Sequence, residues 1–135
     1  MQEINKLKVL VADDSKPSKM LTIILLQSLG CEVSDADDGL EALKITSENT
    51  FDLIFLDECM PILKGSDVAE QLCIGEYNGI NKDTPKISLT GLVGEDAVNN
   101  LYQKGITHHI EKPVTKEVLE HFLKSWREGT LIDHC

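Results

Sequence analysis

Four short stretches of the chain carry side chains suited to a hard cation and a phosphoryl group. Asp13-Asp14 follows an apolar run at residues 7–12, Asp57 closes another at 51–56, Thr90-Gly91 ends a third, and Lys112-Pro113 follows a fourth. Three carboxylates gathered within a few ångströms repel one another: at an effective dielectric of about 20, each unit pair about 4 Å apart costs on the order of 4 kcal/mol. Such a cluster either keeps protons or holds a cation. Carboxylate oxygens with room for water suit magnesium, which takes one or two carboxylates and completes its shell with waters and phosphate oxygens. An ammonium (Lys112) and a hydroxyl (Thr90) beside them complement a second anion. That set describes phosphoryl transfer, in which positioning and charge neutralisation do most of the catalysis.

One carboxylate also suits the role of nucleophile, attacking phosphorus to give an acyl phosphate. Asp57 is the best placed, because it closes the strongly apolar run Phe51-Asp52-Leu53-Ile54-Phe55-Leu56, between the acidic pair and the Thr/Lys side. Each piece has an ordinary reading as well. Asp13-Asp14 suits a helix cap, Asp57 a turn, Lys112 a solvated loop and Thr90 plain strand propensity. The chemistry rests on all four occurring together.

The elements that must position these residues alternate. Short apolar runs at 7–12, 31–36, 51–56, 85–90 and 107–110 read as strands, and the second, less apolar, as nearer an edge. Helical patterns occupy 16–29, 39–48, 66–74, 95–104 and 115–127. Pro17 near the start and Gly30 past the end mark the first helix, with Met20, Ile23, Ile24 and Gln27 on one face. The inward sets of the others are Leu40, Ala42 and Leu43, then Val68, Ala69 and Leu72, then Ala97, Val98 and Leu101, and last Val118, Leu119, Phe122 and Leu123. Met60-Pro61 breaks the chain after the third strand, and residues 75–84, with two glycines and three Asn/Asp residues, form the longest loop. Five strand–helix units imply an α/β fold with a parallel sheet covered on both faces. One domain over 1–135 is expected, with a core at about 6–127 and a tail at 128–135. Ligands of such sheets bind at the carboxyl ends of the strands, where all four stretches fall.

The chain has 135 residues, 41% hydrophobic and 27% charged, with 23 acidic against 13 basic side chains and a formal charge of −10. That balance argues against direct binding to nucleic acid or to anionic lipid. Cys31, Cys59, Cys73 and Cys135 form no CxxC pair and have no His at zinc-finger spacing, so free thiols in a reducing compartment are expected. His134 and Cys135 lie in the tail. Polar residues 1–8 do not read as a signal peptide, and the stretch 20–26 is too short to span a bilayer, so a cytoplasmic location is expected.

The motifs Val11-Ala12-Asp13-Asp14-Ser15, Leu56-Asp57-Glu58-Cys59-Met60-Pro61 with Gly65 following, Leu89-Thr90-Gly91 and Lys112-Pro113-Val114 together resemble those of a response-regulator receiver domain. The resemblance covers residues 6–127, and its Met-Pro and Lys-Pro pieces are similar to receivers of hybrid histidine kinases and phosphorelays. It implies a flavodoxin-like, doubly wound (βα)5 fold with strand order 2-1-3-4-5. It implies that Asp57 accepts a phosphoryl group from a phosphohistidine on a histidine kinase or histidine phosphotransfer protein. Asp14, Asp57 and the carbonyl of Cys59 would ligate Mg2+, with Asp13 acting partly through water. Lys112 and Thr90 would bond phosphate oxygens, and the backbone N–H groups of Glu58 and Gly91 would complete the cradle. A cis Lys112–Pro113 bond is implied, as is an output face of the fourth helix, fifth strand and fifth helix that meets a downstream protein target.

The sequence departs from the family pattern in several places. His109 stands where an aromatic residue is usual, and Lys64 stands before Gly65 where an acid or Asn is usual. Cys59 and Leu92 occupy positions that tune dephosphorylation, and neither offers a clear hydrogen bond to an attacking water, which implies a phosphoryl group that is not very short-lived. Adjacent His108 and His109 point to opposite faces of a strand and so do not share a metal. A dehalogenase-type aspartyl-phosphate phosphatase would need an acid/base Asp two residues after the nucleophile, where Cys59 stands. A flavodoxin-like cofactor binder would need a hydroxyl- and glycine-rich loop where Asp13-Asp14 stands, and no GxGxxG or GxxxxGK[ST] is present. A receiver fold that signals without phosphate remains the other alternative.

Overall fold

The computed structural model describes residues 6–75, 79–91 and 94–129. Strands β1 (Lys8–Ala12), β2 (Glu32–Ala36), β3 (Leu53–Asp57), β4 (Lys86–Thr90) and β5 (His108–Glu111) alternate with helices α1 (Lys16–Ser28), α2 (Gly39–Glu48), α3 (Gly65–Ile74), α4 (Glu95–Gln103) and α5 (Lys116–Glu128). The five strands form one parallel sheet in the order β2-β1-β3-β4-β5. The less apolar β2 is an edge strand, as its composition predicts. The predicted tail residues 130–135, with His134 and Cys135, Leu92 at its tuning position, and residues 76–78 of the long loop lie outside the described residues.

Strand periodicity splits the core in two. Val9, Val11, Phe55, Ile87 and Leu89 pack with Leu26, Leu119, Phe122 and Leu123 of α1 and α5. Leu10, Ala12, Ile54 and Leu56 pack with Leu43, Val68, Leu72 and Leu101 of α2, α3 and α4. Phe55 and Phe122 meet edge to face at 6.1 Å between ring centroids. β3 and β4 are buried throughout, which their position inside a doubly covered sheet requires.

The helix ends carry their own signals. The Ser15 side chain accepts the Ser18 N–H at the start of α1, Asp38 accepts the Glu41 N–H of α2, and Thr115 accepts the Val118 N–H of α5. Gly75 and Gly129 end α3 and α5 in the left-handed conformation.

Several expected inward residues face outward. Met20, Ile24, Leu40 and Val118 are exposed, and Gln27 is exposed with them. In α1 the buried residues are Lys19, Thr22 and Leu26 instead. Lys19 enters because its ammonium pairs with Asp35 and Asp37 at the end of β2. Thr22 enters because its hydroxyl bonds the Ser18 carbonyl one turn back. In α5, Val118 lies one position off the stripe of Leu119, Phe122 and Leu123. Ala97 and Val98 of α4 are half-buried, and Leu101 is its buried anchor.

Candidate functional site

The strand order places the topological switch between β1 and β3, and the acidic residues stand at the carboxyl ends of those two strands. Asp13 and Asp14 directly follow β1, and Asp57 is the last residue of β3. One carboxylate oxygen from each of the three lies within 4.8 Å of the others. Asp13 is 1% exposed and Asp57 4%, whereas Asp14 is exposed at the mouth. Oδ1 of Asp13 accepts the Ser15 N–H at 2.9 Å. Its Oδ2 is buried and has no hydrogen-bond partner.

Lys112 reaches this cluster from the turn after β5. Its Nζ stands 3.1 Å from Asp57 Oδ1 and 3.6 Å from Asp13 Oδ2. It also donates to Ser18 Oγ at 3.2 Å. The backbone N–H of Lys112 donates to the Thr90 carbonyl at 2.9 Å, which ties the lysine to the end of β4. The Lys112–Pro113 bond is cis. Thr90 is buried and Gly91 exposed, so Thr90-Gly91 forms the rim opposite Asp13-Asp14.

The electrostatics follow from this packing. Burial pushes the Asp57 carboxyl up to about 6, against the hydrogen bond from Lys112 and with help from the nearby Asp13 charge. Burial pulls the Lys112 ammonium down, but the hydrogen bond and charge of Asp57 outweigh it and hold it above its ordinary value. Lys112 is the one cation paired with Asp13 and Asp57 among the described residues. One ammonium beside three carboxylates leaves an acidic excess, and the buried Asp13 Oδ2 lacks a hydrogen-bond donor. All-oxygen donors, excess negative charge and an orphaned buried oxygen fit a hard divalent cation.

The loop after Asp57 is tied to β4 and α3. The Glu58 N–H donates to the Leu89 carbonyl at 3.2 Å, so in this conformation it extends the sheet ladder instead of facing an anion. The buried Glu58 carboxylate accepts both the N–H and the hydroxyl of Ser66, each at 2.8 Å. Cys59 is exposed at the lip. Gly65 packs against the Asp57 backbone, where a Cβ would lie 2.6 Å from the Asp57 carbonyl oxygen. Lys64 points into solvent, and its N–H donates to Asp67 Oδ2. His108 meets Phe122 edge-on at 5.4 Å, and His109 Nε2 is buried without a hydrogen-bond partner. Ser18 and Ser66 escaped the sequence reading, since a serine in a first helical turn is common and its partner here comes from another element.

The profile of the response regulator receiver domain matches residues 9–124. The chain is 30% identical to the chemotaxis response regulator CheY4 of Vibrio cholerae, with a TM-score of 0.81 over 89% of this chain and 98% of that one. The receiver domain of the sensor histidine kinase PA1611 of Pseudomonas aeruginosa PAO1, solved with magnesium in its active-site cleft, shares the fold at 24% identity and a TM-score of 0.80, over 90% of this chain and 98% of that one. The autoinducer 1 sensor kinase/phosphatase LuxN of Vibrio campbellii is 31% identical over 121 residues, which is 87% of this chain and 13% of LuxN. The chain thus spans about an eighth of that relative's length. With a five-stranded sheet in the order 2-1-3-4-5 and a family profile over nearly its whole length, the chain belongs to the response regulator receiver domains of two-component signalling.

Proposed function

We propose that this receiver accepts a phosphoryl group on Asp57 from a phosphohistidine, with Mg2+ assistance, and thereby switches its contacts with other proteins. The observation that carries the reading is the buried Asp57 carboxylate between two further aspartates and the Lys112 ammonium at 3.1 Å. Asp14, Asp57 and the Cys59 carbonyl would hold the ion, with Asp13 holding a water of its shell. Bound there, Mg2+ supplies positive charge to the carboxylates and to phosphate oxygens.

An Asp57 oxygen attacks phosphorus, the P–N bond of the donor breaks, and its electron pair leaves with the imidazole. Lys112 follows the charge from the carboxylate to a phosphoryl oxygen. Thr90 and the Gly91 N–H meet the other oxygens from the β4 rim. The Glu58 N–H, which donates to the Leu89 carbonyl at 3.2 Å in this conformation, would turn to the phosphoryl group and complete the cradle. The new dianion draws Thr90 toward Asp57 and biases an equilibrium between surface states. The donor is a histidine kinase or histidine phosphotransfer protein, and the reader a downstream protein on the α4–β5–α5 face, both in the cytoplasm.

Acetyl phosphate and Mg2+ test this directly. Intact mass should rise by one phosphoryl group in the wild type and stay unchanged in Asp57→Asn. Equal phosphorylation of both proteins, or of neither in the presence of Mg2+, would overturn the reading. Sustained turnover of phosphate monoesters would favour the phosphatase alternative.

A further inference from the structure

Ser18 lies on α1, outside every motif that marks the site, yet its hydroxyl reaches the amino group of Lys112 at 3.2 Å. An ammonium has three donors. The Lys112 ammonium donates to Ser18 Oγ at 3.2 Å, and it lies 3.1 Å from Asp57 Oδ1 and 3.6 Å from Asp13 Oδ2, the last in ion-pair range only. Two of those partners are carboxylates, and the charge of one, Asp57, changes in the reaction. The third is neutral and sits in the first turn of a helix anchored by the Ser15 cap.

The helix does not need that hydroxyl. The Ser18 N–H is taken by Ser15 Oγ, and the Ser18 carbonyl by Thr22 Oγ1, so backbone atoms make both intrahelical contacts. The side chain is left to face another element. Lys112 itself lies on a turn and carries several rotatable bonds, so a fixed acceptor on α1 narrows the positions its ammonium can take.

We propose that Ser18 is a positioning residue for phosphoryl transfer: its hydroxyl holds the Lys112 ammonium at the mouth of the aspartate cluster, in place to meet the incoming phosphoryl oxygen. This rests on the reading of Asp57 as phosphoacceptor. Without the hydroxyl, the ammonium collapses onto the Asp57 and Asp13 carboxylates or swings into solvent. Either outcome removes it from the place where negative charge builds up on phosphorus.

The test is the rate of phosphorylation by acetyl phosphate and Mg2+, followed by intact mass, in the full chain. Ser18→Ala should slow the reaction about tenfold, the scale of one hydrogen bond to a charged group. Ser18→Thr, which restores a hydroxyl, should return to within about threefold of the wild type on the same scale. The melting temperature of Ser18→Ala should stay at the wild-type value, since alanine is the better helix former. In a Lys112→Ala background, adding Ser18→Ala should change the residual rate little, because the residue acts through the lysine.

A wild-type rate in Ser18→Ala, a failure of threonine to rescue, or an equal slowing in the Lys112→Ala background would each overturn the proposal. Failure of the phosphoacceptor reading looks different: Asp57→Asn would then gain mass like the wild type, or the wild type itself would not react.

Discussion

Lys112 Nζ stands 3.1 Å from Asp57 Oδ1, and yet the carboxyl of Asp57 is pushed up to about 6. Burial outweighs the pull of the lysine, and the neighbouring Asp13 charge adds to it. The site thus carries a charge that the fold by itself does not neutralise, which suits a place that receives a cation.

A pH dependence follows. An unfolded aspartate titrates near pH 3.9, so between there and about 6 the folded chain binds more protons than the unfolded one. Stability therefore falls as pH rises through that window. Asp57→Asn removes the penalty. At pH 7.5 in EDTA it should melt above the wild type, by about 3 kcal/mol at most. The two melting curves should converge by pH 4, where the wild-type carboxyl is protonated as well. Added Mg2+ should raise the wild-type melting temperature at pH 7.5 and leave Asp57→Asn nearly unmoved. A destabilised Asp57→Asn at pH 7.5 would show that the lysine contact, not burial, dominates.

Gly65 starts α3 directly over the phosphoacceptor backbone. A Cβ there would meet the Asp57 carbonyl oxygen at 2.6 Å and Leu56 Cβ at 3.0 Å. Neither contact is the loose end of a side chain, so either the helix start lifts or β3 shifts. Gly65→Ala should lose about 1–3 kcal/mol by overpacking and slow phosphorylation together with it. Gly91→Ala is the internal control. Among the described residues nothing lies within 4 Å of a Cβ at Gly91, and its φ is not positive, so chemical denaturation should give near wild-type stability there. Equal stability of the two variants would contradict the close approach at Gly65.

Ile62 has φ of 69°, in the left-handed region, although it is β-branched and 82% exposed. That conformation costs an L-residue roughly 1–2 kcal/mol, and exposure returns little by burial. Asparagine tolerates the region far better. Ile62→Asn should therefore raise stability by about 1 kcal/mol in urea unfolding. An unchanged midpoint would mean that the isoleucine side chain gains compensating contact along the loop.

Much of the architecture is written in local pattern. Apolar runs ending in Asp13, Asp57 and Thr90 give strands and the functional edge together, because a strand end is both a change in polarity and a place in the sheet. The inward faces of helices are less legible. Met20 and Ile24 share a period with Ile23, but the inward face of α1 is set by Lys19 finding Asp35 and Asp37 at the end of β2. Lys86, fully buried in β4, is equally hidden from composition, since its ammonium is satisfied by the Lys82 and Thr84 carbonyls. The Ser18–Lys112 contact and the Glu58–Ser66 clamp are tertiary in the same sense. The Glu58 N–H shows the same limit: the motif marks it for an anion, and only the fold reveals that the Leu89 carbonyl at the end of β4 lies within its reach.

The long loop before β4 shows how a residue read as mere turn composition can hold a fold together. Asn81 is 1% exposed. Its Nδ2 donates to the Thr46 and Asn49 carbonyls, both at 2.7 Å, and its Oδ1 accepts the Phe51 N–H at 3.0 Å and the Thr84 hydroxyl at 3.2 Å. One side chain thus ties the end of α2 to the entries of β3 and β4, at the edge of the sheet opposite the aspartates. Asn81→Ala leaves those backbone groups without partners in a buried place, which should cost about 2–4 kcal/mol in denaturant unfolding. Phosphorylation of the folded fraction by acetyl phosphate should proceed at the wild-type rate, because none of these bonds touches the carboxyl ends of the strands. A loss below about 1 kcal/mol would mean that water enters and replaces the amide. A slowed reaction at full folding would mean that the two edges of the sheet are mechanically coupled through β3.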